Sequence, residues 1–105
     1  MKMYILLKEQ VPDHLAPVIA AHAALACYRQ YEQDADMQTW INSVFKKVVC
    51  RVNDKEYARA RECDRFTELH ESAIGPEPVC LVFCPRPEYP KAFSYYRMWR
   101  PAVIS

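Results

Sequence analysis

Glycine is almost absent from this sequence: Gly75 is the one glycine in 105 residues. A loop that cradles phosphate needs several glycines so that backbone N–H groups can converge on the ligand, and this excludes Walker-type and Rossmann-type nucleotide loops. A G-x-S-x-G nucleophile elbow is excluded for the same reason. The enzyme classes that depend on these loops are therefore excluded.

The sequence also lacks an excess of either charge and any long apolar run. Fourteen basic and thirteen acidic residues give a formal net charge of +1. This balance argues against a protein that coats a nucleic-acid backbone, although a local basic patch is compatible with it. No segment reaches the roughly 20 apolar residues of a membrane span, and the N-terminal segment lacks signal-peptide features. We therefore expect a cytoplasmic protein with no membrane partner.

Clustered metal ligands are missing as well. The five cysteines form no C-x-x-C pair and do not group with histidines at zinc-finger spacing. We therefore predict no metal site and no bound cofactor. An odd number of cysteines in apolar stretches is typical of small buried thiols in a reducing compartment. The cysteines are Cys27, Cys50, Cys63, Cys80 and Cys84.

Strand and helix patterns alternate along a chain of one domain's length. With 105 residues, 51% of them hydrophobic, residues 1–105 have room for a single domain with one core. The element order β-α-α-β-α-β-β-α predicts an α/β fold with a mixed four-stranded sheet and helices on both faces. The predicted strands cover 4–7, 48–52, 66–72 and 79–84, and the predicted helices cover 16–31, 37–45, 54–63 and 91–99.

The predicted helices differ in how clearly their sequences define them. The first carries no Lys, Arg, Asp or Glu between His14 and Arg29. We therefore expect it to be buried around most of its circumference, with His22 as a hydrogen-bonded core group. Asp36 is the expected cap of the second helix. Asn53 is the expected cap of the third, with a glutamate three residues on in the capping-box position.

Two groups of titratable residues are candidates for a catalytic site. His14 lies in the loop before the first helix, where we expect it to be solvated. Strand alternation puts Glu68 and His70 on one face and Glu71 on the other, unless the strand bulges. This cluster is typical of a solvated edge strand whose charges discourage aggregation. The alternative is a histidine general base supported by a carboxylate.

The C-terminal part of the chain interleaves cations with aromatic residues. Arg97 and Arg100 stand among tyrosines and a tryptophan in segment 89–100, a combination that can stack bases and contact phosphates. The same segment is equally typical of an amphipathic helix that packs its aromatic rings on the sheet or on a second subunit. Lys46 and Lys47 before the second strand complete the candidate substrate-binding cations.

The order of several short motifs carries further information. They are Tyr4-Ile5-Leu6-Leu7, His22-Ala23-Ala24, Trp40, Lys47-Val48-Val49 and the segment from Val79 to Pro85. In this order and at this spacing the chain resembles the type 2 peptidyl-tRNA hydrolases, over nearly its whole length up to Pro85. In that family the first helix has the form G-K-x-A-A-Q-x-x-H-A-A and a later strand bears D-A-G-x-T. The resemblance implies a four-stranded α/β fold, tRNA as a partner, and hydrolysis of the ester that joins peptide to tRNA.

The residues that carry the family's chemistry are different here. Matching His22-Ala23-Ala24 to the family's helix places Leu15 at its catalytic lysine and Ile19 at its glutamine, and no Asp-Ala-Gly occurs. Because leucine can neither hold a charge nor transfer a proton, the family's mechanism does not carry over to these positions. His14 in place of the lysine, with Glu71 as its partner, is the one replacement that the sequence offers.

Three functional hypotheses follow. The first is a divergent member of this fold, without ester hydrolysis, that acts as a binding module for a protein, nucleotide or RNA partner and forms a homodimer. The alternative is an active peptidyl-tRNA hydrolase, or a related ester or amide hydrolase, with a rearranged site of His14, His70 and Glu71. The third is a tRNA-binding module that uses the four candidate cations and whose affinity falls steeply with salt.

Overall fold

A computed structural model, which describes residues 1–101, contains five strands, three α-helices and one 3-10 helix in that part of the chain. The strands are β1 (Met3–Lys8), β2 (Lys47–Val52), β3 (Phe66–Glu71), β4 (Gly75–Phe83) and β5 (Arg97–Met98). The helices are α1 (Ala16–Gln30), α2 (Ala35–Ile41), α3 (Asp54–Ala60) and the 3-10 helix Lys91–Tyr95. None of these helices combines the length and apolar character that crossing a bilayer requires.

All five strands belong to one mixed sheet with the order β3-β4-β1-β2-β5. β1 pairs in parallel with β2 and antiparallel with β4, and β4 pairs antiparallel with β3. β1, β2 and β3 consequently run in the same direction, so their C-terminal ends lie at one end of the sheet. The loops that follow these strands, and the turn between β3 and β4, therefore lie at that end.

Side-chain alternation along the central strand β1 divides the core between the two faces of the sheet. Met3, Ile5 and Leu7 pack with the buried residues of α1 and α2. Tyr4 and Leu6 pack with α3 and the 3-10 helix. Helices therefore cover both faces, as the sequence predicted, and β1 reads as continuously apolar because both of its faces are buried.

The C-terminal segment corrects two predictions. The sheet has five strands rather than four, and the predicted helix 91–99 is a 3-10 helix followed by the short strand β5. Tyr96 has an extended backbone, and the backbone N–H of Trp99 donates to the carbonyl of Val49 at 2.8 Å. The segment leaves the helical conformation because pairing with the open edge of β2 satisfies its backbone groups.

Helix α1 is less buried than its lack of charge suggested. One stripe is buried, at Ala16, Ile19, Ala23 and Cys27, whereas Val18 and Leu25 are 47% and 61% exposed. His22 lies on the exposed side, so its prediction as a core group was wrong. The helix contacts the sheet along one side only, and small uncharged residues permit burial without requiring it.

The helix caps also differ in part from the predictions. Asp34, and not Asp36, caps α2 by accepting hydrogen bonds from two backbone N–H groups. The helix ends at Ile41, before the predicted end at 45, and Phe45 adopts a left-handed backbone with φ of 38°. The capping box of α3 is confirmed, since both hydrogen bonds between Asn53 and Glu56 are present.

Candidate functional site

The three predicted catalytic residues lie toward the same end of the sheet but do not form one site. His14 is exposed in the turn that follows β1, and His70 and Glu71 lie at the end of β3. Two strand spacings, about 10 Å, separate β3 from β1. Among residues 1–101, no hydrogen bond joins His14 to His70 or Glu71. A base and its supporting carboxylate need such contact, so this arrangement is not a formed catalytic pair.

The β3–β4 turn engages both of the β3 residues in local contacts. His70 Nδ1 lies 2.8 Å from the carbonyl oxygen of Pro76, and Glu71 accepts a hydrogen bond from the backbone N–H of Ala73. The register shifts on both sides of His70, so strict alternation does not hold there. β3 is an edge strand, as one interpretation of the sequence expected. These contacts give His70 and Glu71 a structural role in the turn.

Glu68 belongs to a separate contact on the α3 side of the sheet. Its carboxylate accepts a hydrogen bond from the Tyr57 hydroxyl at 2.7 Å and lies 3.4 Å from the Arg61 guanidinium. Burial, and then the hydrogen bond to Glu68, raise the pKa of Tyr57. This pair links α3 to β3 and does not involve His70.

The four candidate cations divide into two groups at different places along β2. Lys47 begins β2, next to Lys46, whereas Arg97 pairs in register with Arg51 near the other end of the strand. Four residues of strand separate Lys47 from Arg51, about 13 Å. Arg97 and Arg100 instead lie together, around one cavity.

That cavity has a volume of about 470 Å³ and is lined by Arg51, Arg97, Met98 and Arg100. We refer to Arg51, Arg97 and Arg100 as the arginine cluster. Strand pairing brings Arg51 and Arg97 together, because register partners on neighbouring strands lie side by side and share a face of the sheet. Arg100 follows two residues after β5. The cluster therefore depends on the same edge pairing that the sequence did not predict.

Trp99 holds one arginine of the cluster in place. The Arg51 guanidinium lies 4.0 Å from the centroid of the Trp99 ring, which is a cation–π geometry. Arg51 also donates to the Asp13 carboxylate at 3.1 Å and to the carbonyl of Arg100 at 2.9 Å. Trp99 Nε1 donates to the same Asp13 oxygen at 3.1 Å. These contacts fix the guanidinium and the ring relative to each other.

Two carboxylates reduce the positive charge of the arginine cluster. Asp13 lies 3.1 Å from Arg51, and Glu9 lies 3.4 Å from Arg97. Within the described residues, no carboxylate is within ion-pair distance of the Arg100 side chain. The Arg97 and Glu9 side chains are 65% and 44% exposed, and ion pairs that are so exposed are weak enough for an incoming phosphate to replace.

The lysine pair has a different environment. Lys47 Nζ donates to the carbonyl of Phe45 at 2.9 Å and lies 4.7 Å from the centroid of the Phe45 ring. The centroid of the Trp40 ring lies 5.5 Å from Lys47 Nζ. Trp40 also donates its Nε1–H to the carbonyl of Lys46. The Lys47 ammonium therefore already has partners within its own loop, and it stabilises the left-handed turn at Phe45.

Sequence reasoning missed Arg51 as a member of the arginine cluster, and it missed the contact between Arg51 and Trp99. Arg51 was treated as part of a strand, and Trp99 as one of the aromatic residues that either stack bases or pack on the sheet or a second subunit. The signal that could have identified Arg51 is its position as the one charged residue between Val48 and Val52. A cation within an otherwise apolar strand needs a partner or solvent, and both are present at this edge.

No metal site accompanies these residues. In the part of the chain that the structure describes, no group of three or more His, Cys, Asp or Glu side chains is arranged to hold a metal ion.

A scan against protein-family models and a search of curated proteins each found no match to this sequence.

Proposed function

We propose that this protein is an RNA-binding module that binds the phosphate backbone of tRNA-like RNA through the arginine cluster and has no hydrolase activity. We further propose that its five-stranded α/β domain is a divergent relative of the type 2 peptidyl-tRNA hydrolases. The binding surface consists of Arg51, Arg97 and Arg100, with the Trp99 ring beside them.

The observation that carries this proposal is that three arginine residues line one open cavity. Guanidinium is planar, carries its charge at every physiological pH and presents paired N–H donors that match phosphate oxygens. The Trp99 ring, 4.0 Å from the Arg51 guanidinium, holds one of these cations in place. A local patch of this kind is compatible with a net charge of only +1.

The proposed absence of hydrolysis is supported by the residues at the positions that the resemblance marks. Leu15 is partly buried and packs against the core on the α1 side of the sheet, where it offers no proton. His14 lacks a hydrogen bond to His70 or Glu71 among residues 1–101. The alternative, a hydrolase with a rearranged site, requires these three residues to converge, and their contacts do not support it.

The direct test is binding of fluorescently labelled tRNA, followed by anisotropy, to the wild type and to an Arg97→Ala/Arg100→Ala variant. Both side chains are exposed, so the variant keeps its core. We expect the dissociation constant to rise at least tenfold, because two charge-assisted contacts are removed. A matched control, Arg29→Ala/Lys55→Ala, removes the same charge from exposed positions elsewhere and should change affinity by less than threefold. Equal loss in both variants would show that only net charge matters and would refute the site.

Hydrolysis is tested in the same preparation with a model peptidyl-tRNA. We expect no turnover by the wild type above that of heat-denatured protein. Turnover that disappears in a His14→Ala variant would contradict the non-catalytic assignment and establish the alternative. Turnover that persists in His14→Ala but disappears in Glu71→Gln would place the chemistry on β3 and would contradict it equally.

A further inference from the structure

A second basic cavity lies away from the arginine cluster, where the N-terminal end of β1 meets the chain that follows β4. Its volume is about 250 Å³, and the cations Lys2, Lys91 and Arg86 contribute to its lining. The other lining residues are apolar, aromatic or hydroxyl-bearing, namely Met1, Tyr4, Pro87, Tyr89, Pro90, Phe93 and Ser94. No carboxylate is among these lining residues, although Arg86 pairs with the Asp64 carboxylate outside the lining.

Hydrogen bonds, a ring contact and a backbone bridge hold the framework of this cavity. The Tyr89 hydroxyl donates to the carbonyls of Lys2 and Cys84 at 2.7 and 3.2 Å. The Tyr89 and Phe93 rings are stacked, with centroids 5.1 Å apart. Lys2 pairs with Arg86 in an isolated antiparallel bridge. The backbones that carry these cations are therefore held in place before any ligand arrives.

The three cations differ in what they can offer a ligand. Arg86 is 6% exposed and uses its donors on Cys63, Asp64, Arg65 and Cys84, so it contributes positive potential rather than free N–H groups. Lys2 and Lys91 are exposed, and within residues 1–101 neither ammonium has a carboxylate in ion-pair distance. Their N–H donors are available to an anion in the cavity.

We propose that this cavity binds the phosphate group of a small phosphorylated ligand. Lys2 and Lys91 donate to the phosphate oxygens, and Arg86 adds positive potential that its ion pair with Asp64 partly offsets. Two lysines without a carboxylate in ion-pair distance within residues 1–101 favour a doubly charged anion over a singly charged one. The aromatic wall of Tyr89 and Phe93 excludes water from one side, which strengthens these interactions. This site is distinct from the arginine cluster and does not rest on the proposed RNA function.

The test is a titration with inorganic phosphate, followed by amide chemical shifts at constant ionic strength, with chloride as the reference anion. We expect saturable shifts of the amides near Lys2, Tyr89 and Lys91. In a Lys2→Ala/Lys91→Ala variant the dissociation constant should rise about fivefold or more, because two charge-assisted hydrogen bonds are removed. The variant keeps the backbone carbonyl that accepts from Tyr89, so the fold is retained.

Two further variants make the result specific. Lys2→Arg/Lys91→Arg keeps both charges and should bind phosphate within about threefold of the wild type, whereas Arg29→Ala/Lys55→Ala, at exposed positions outside both cavities, should leave the shifts near Lys2, Tyr89 and Lys91 unchanged. No shifts at these three amides, shifts there that grow linearly without saturation, or equal affinity in the Lys2→Ala/Lys91→Ala variant would each overturn the proposal. Failure here leaves RNA binding by the arginine cluster intact, since that is measured with different variants and a different ligand.

Discussion

Arg86 donates to the Asp64 carboxylate at 2.9 Å, yet the arginine side chain is 6% exposed and the aspartate side chain is 81% exposed. The other donors of Arg86 reach Cys63 Sγ and the backbone carbonyls of Cys84, Asp64 and Arg65. The arginine thus connects the residue after β4 to the segment before β3. Its donors therefore satisfy one buried carbonyl, that of Cys84, and two part-buried ones, in addition to a carboxylate that faces solvent.

Arg86→Met should therefore destabilise the protein by about 2–4 kcal/mol, because one buried and two part-buried backbone carbonyls lose hydrogen bonds. The free energy of unfolding from urea titrations measures this loss. Asp64→Asn is the matched control, since it removes only the exposed charge and keeps a side chain of the same size. It should have a much smaller effect. Equal destabilisation by the two changes would show that the ion pair matters more than the carbonyl contacts.

Acid stability should depend on Asp34, which caps α2 and contacts Arg65 at 2.9 Å. Burial acts to raise the pKa of Asp34, but hydrogen bonds from Arg65 and from the backbone N–H groups of Met37 and Asp36 lower it below its ordinary value. The unfolded chain therefore binds this proton at a higher pH than the folded chain. The resulting stability is complete above the ordinary carboxyl pKa of about 3.9 and is lost as pH falls through the lower folded value.

Asp34→Asn keeps a good capping residue but removes this charge. We expect it to reduce the free energy of unfolding by about 1 kcal/mol at pH 7, because the pair with Arg65 is only partly exposed. The difference from the wild type should shrink below pH 4. Urea titrations between pH 7 and pH 2.5 measure both quantities. A constant difference across this range would contradict the assignment of the acid dependence to Asp34.

The elements that local chemistry determines were predictable from the sequence. β1 is continuously apolar because both faces of a central strand are covered, and the capping box at Asn53 and Glu56 needs only residues three apart. Long-range pairing determines the rest. β5 and the arginine cluster exist because segment 97–99 pairs with the edge of β2, about 46 residues earlier in the chain. No local pattern encodes that partner, so a helix was predicted for the segment.

The exposure of α1 shows a second limit of the sequence. A helix without charged residues can be buried on all sides or on one side only, so its composition does not tell which. The position of the sheet decides which face is covered. His22 was therefore placed in the core, although it lies on the open side of the helix. The candidate catalytic residues failed to converge for a related reason. The end of the sheet that they share follows from topology, but direct contact depends on loop conformations that residue spacing does not fix.

Thiol reactivity should separate Cys63 from the other cysteines. Burial raises the pKa of Cys50 to about 11 and that of Cys27 and Cys84 to about 12, and it also raises the pKa of Cys80. Cys63 is only half-buried, and its Sγ lies 3.2 Å from the Arg86 guanidinium. We expect iodoacetamide at pH 8 to modify one thiol of the native protein and five after unfolding in guanidinium. Mass spectrometry counts the adducts, and the native Cys63→Ser variant should give none. Two or more adducts on the native wild type would contradict the burial of the other four cysteines.

The salt dependence of RNA binding should distinguish the arginine cluster from the lysine pair. Each phosphate contact that is removed should reduce the slope of log affinity against log salt concentration by about 0.7–0.9. Arg97→Ala and Arg100→Ala should each show this reduction, since both side chains line the cavity. Lys46→Ala/Lys47→Ala should change the slope less than either, because the Lys47 ammonium is held by Phe45 about 13 Å from Arg51 along β2. Anisotropy titrations at 50–300 mM salt measure these slopes. A larger change of slope in Lys46→Ala/Lys47→Ala than in the two arginine variants would place the RNA-binding surface at the other end of β2.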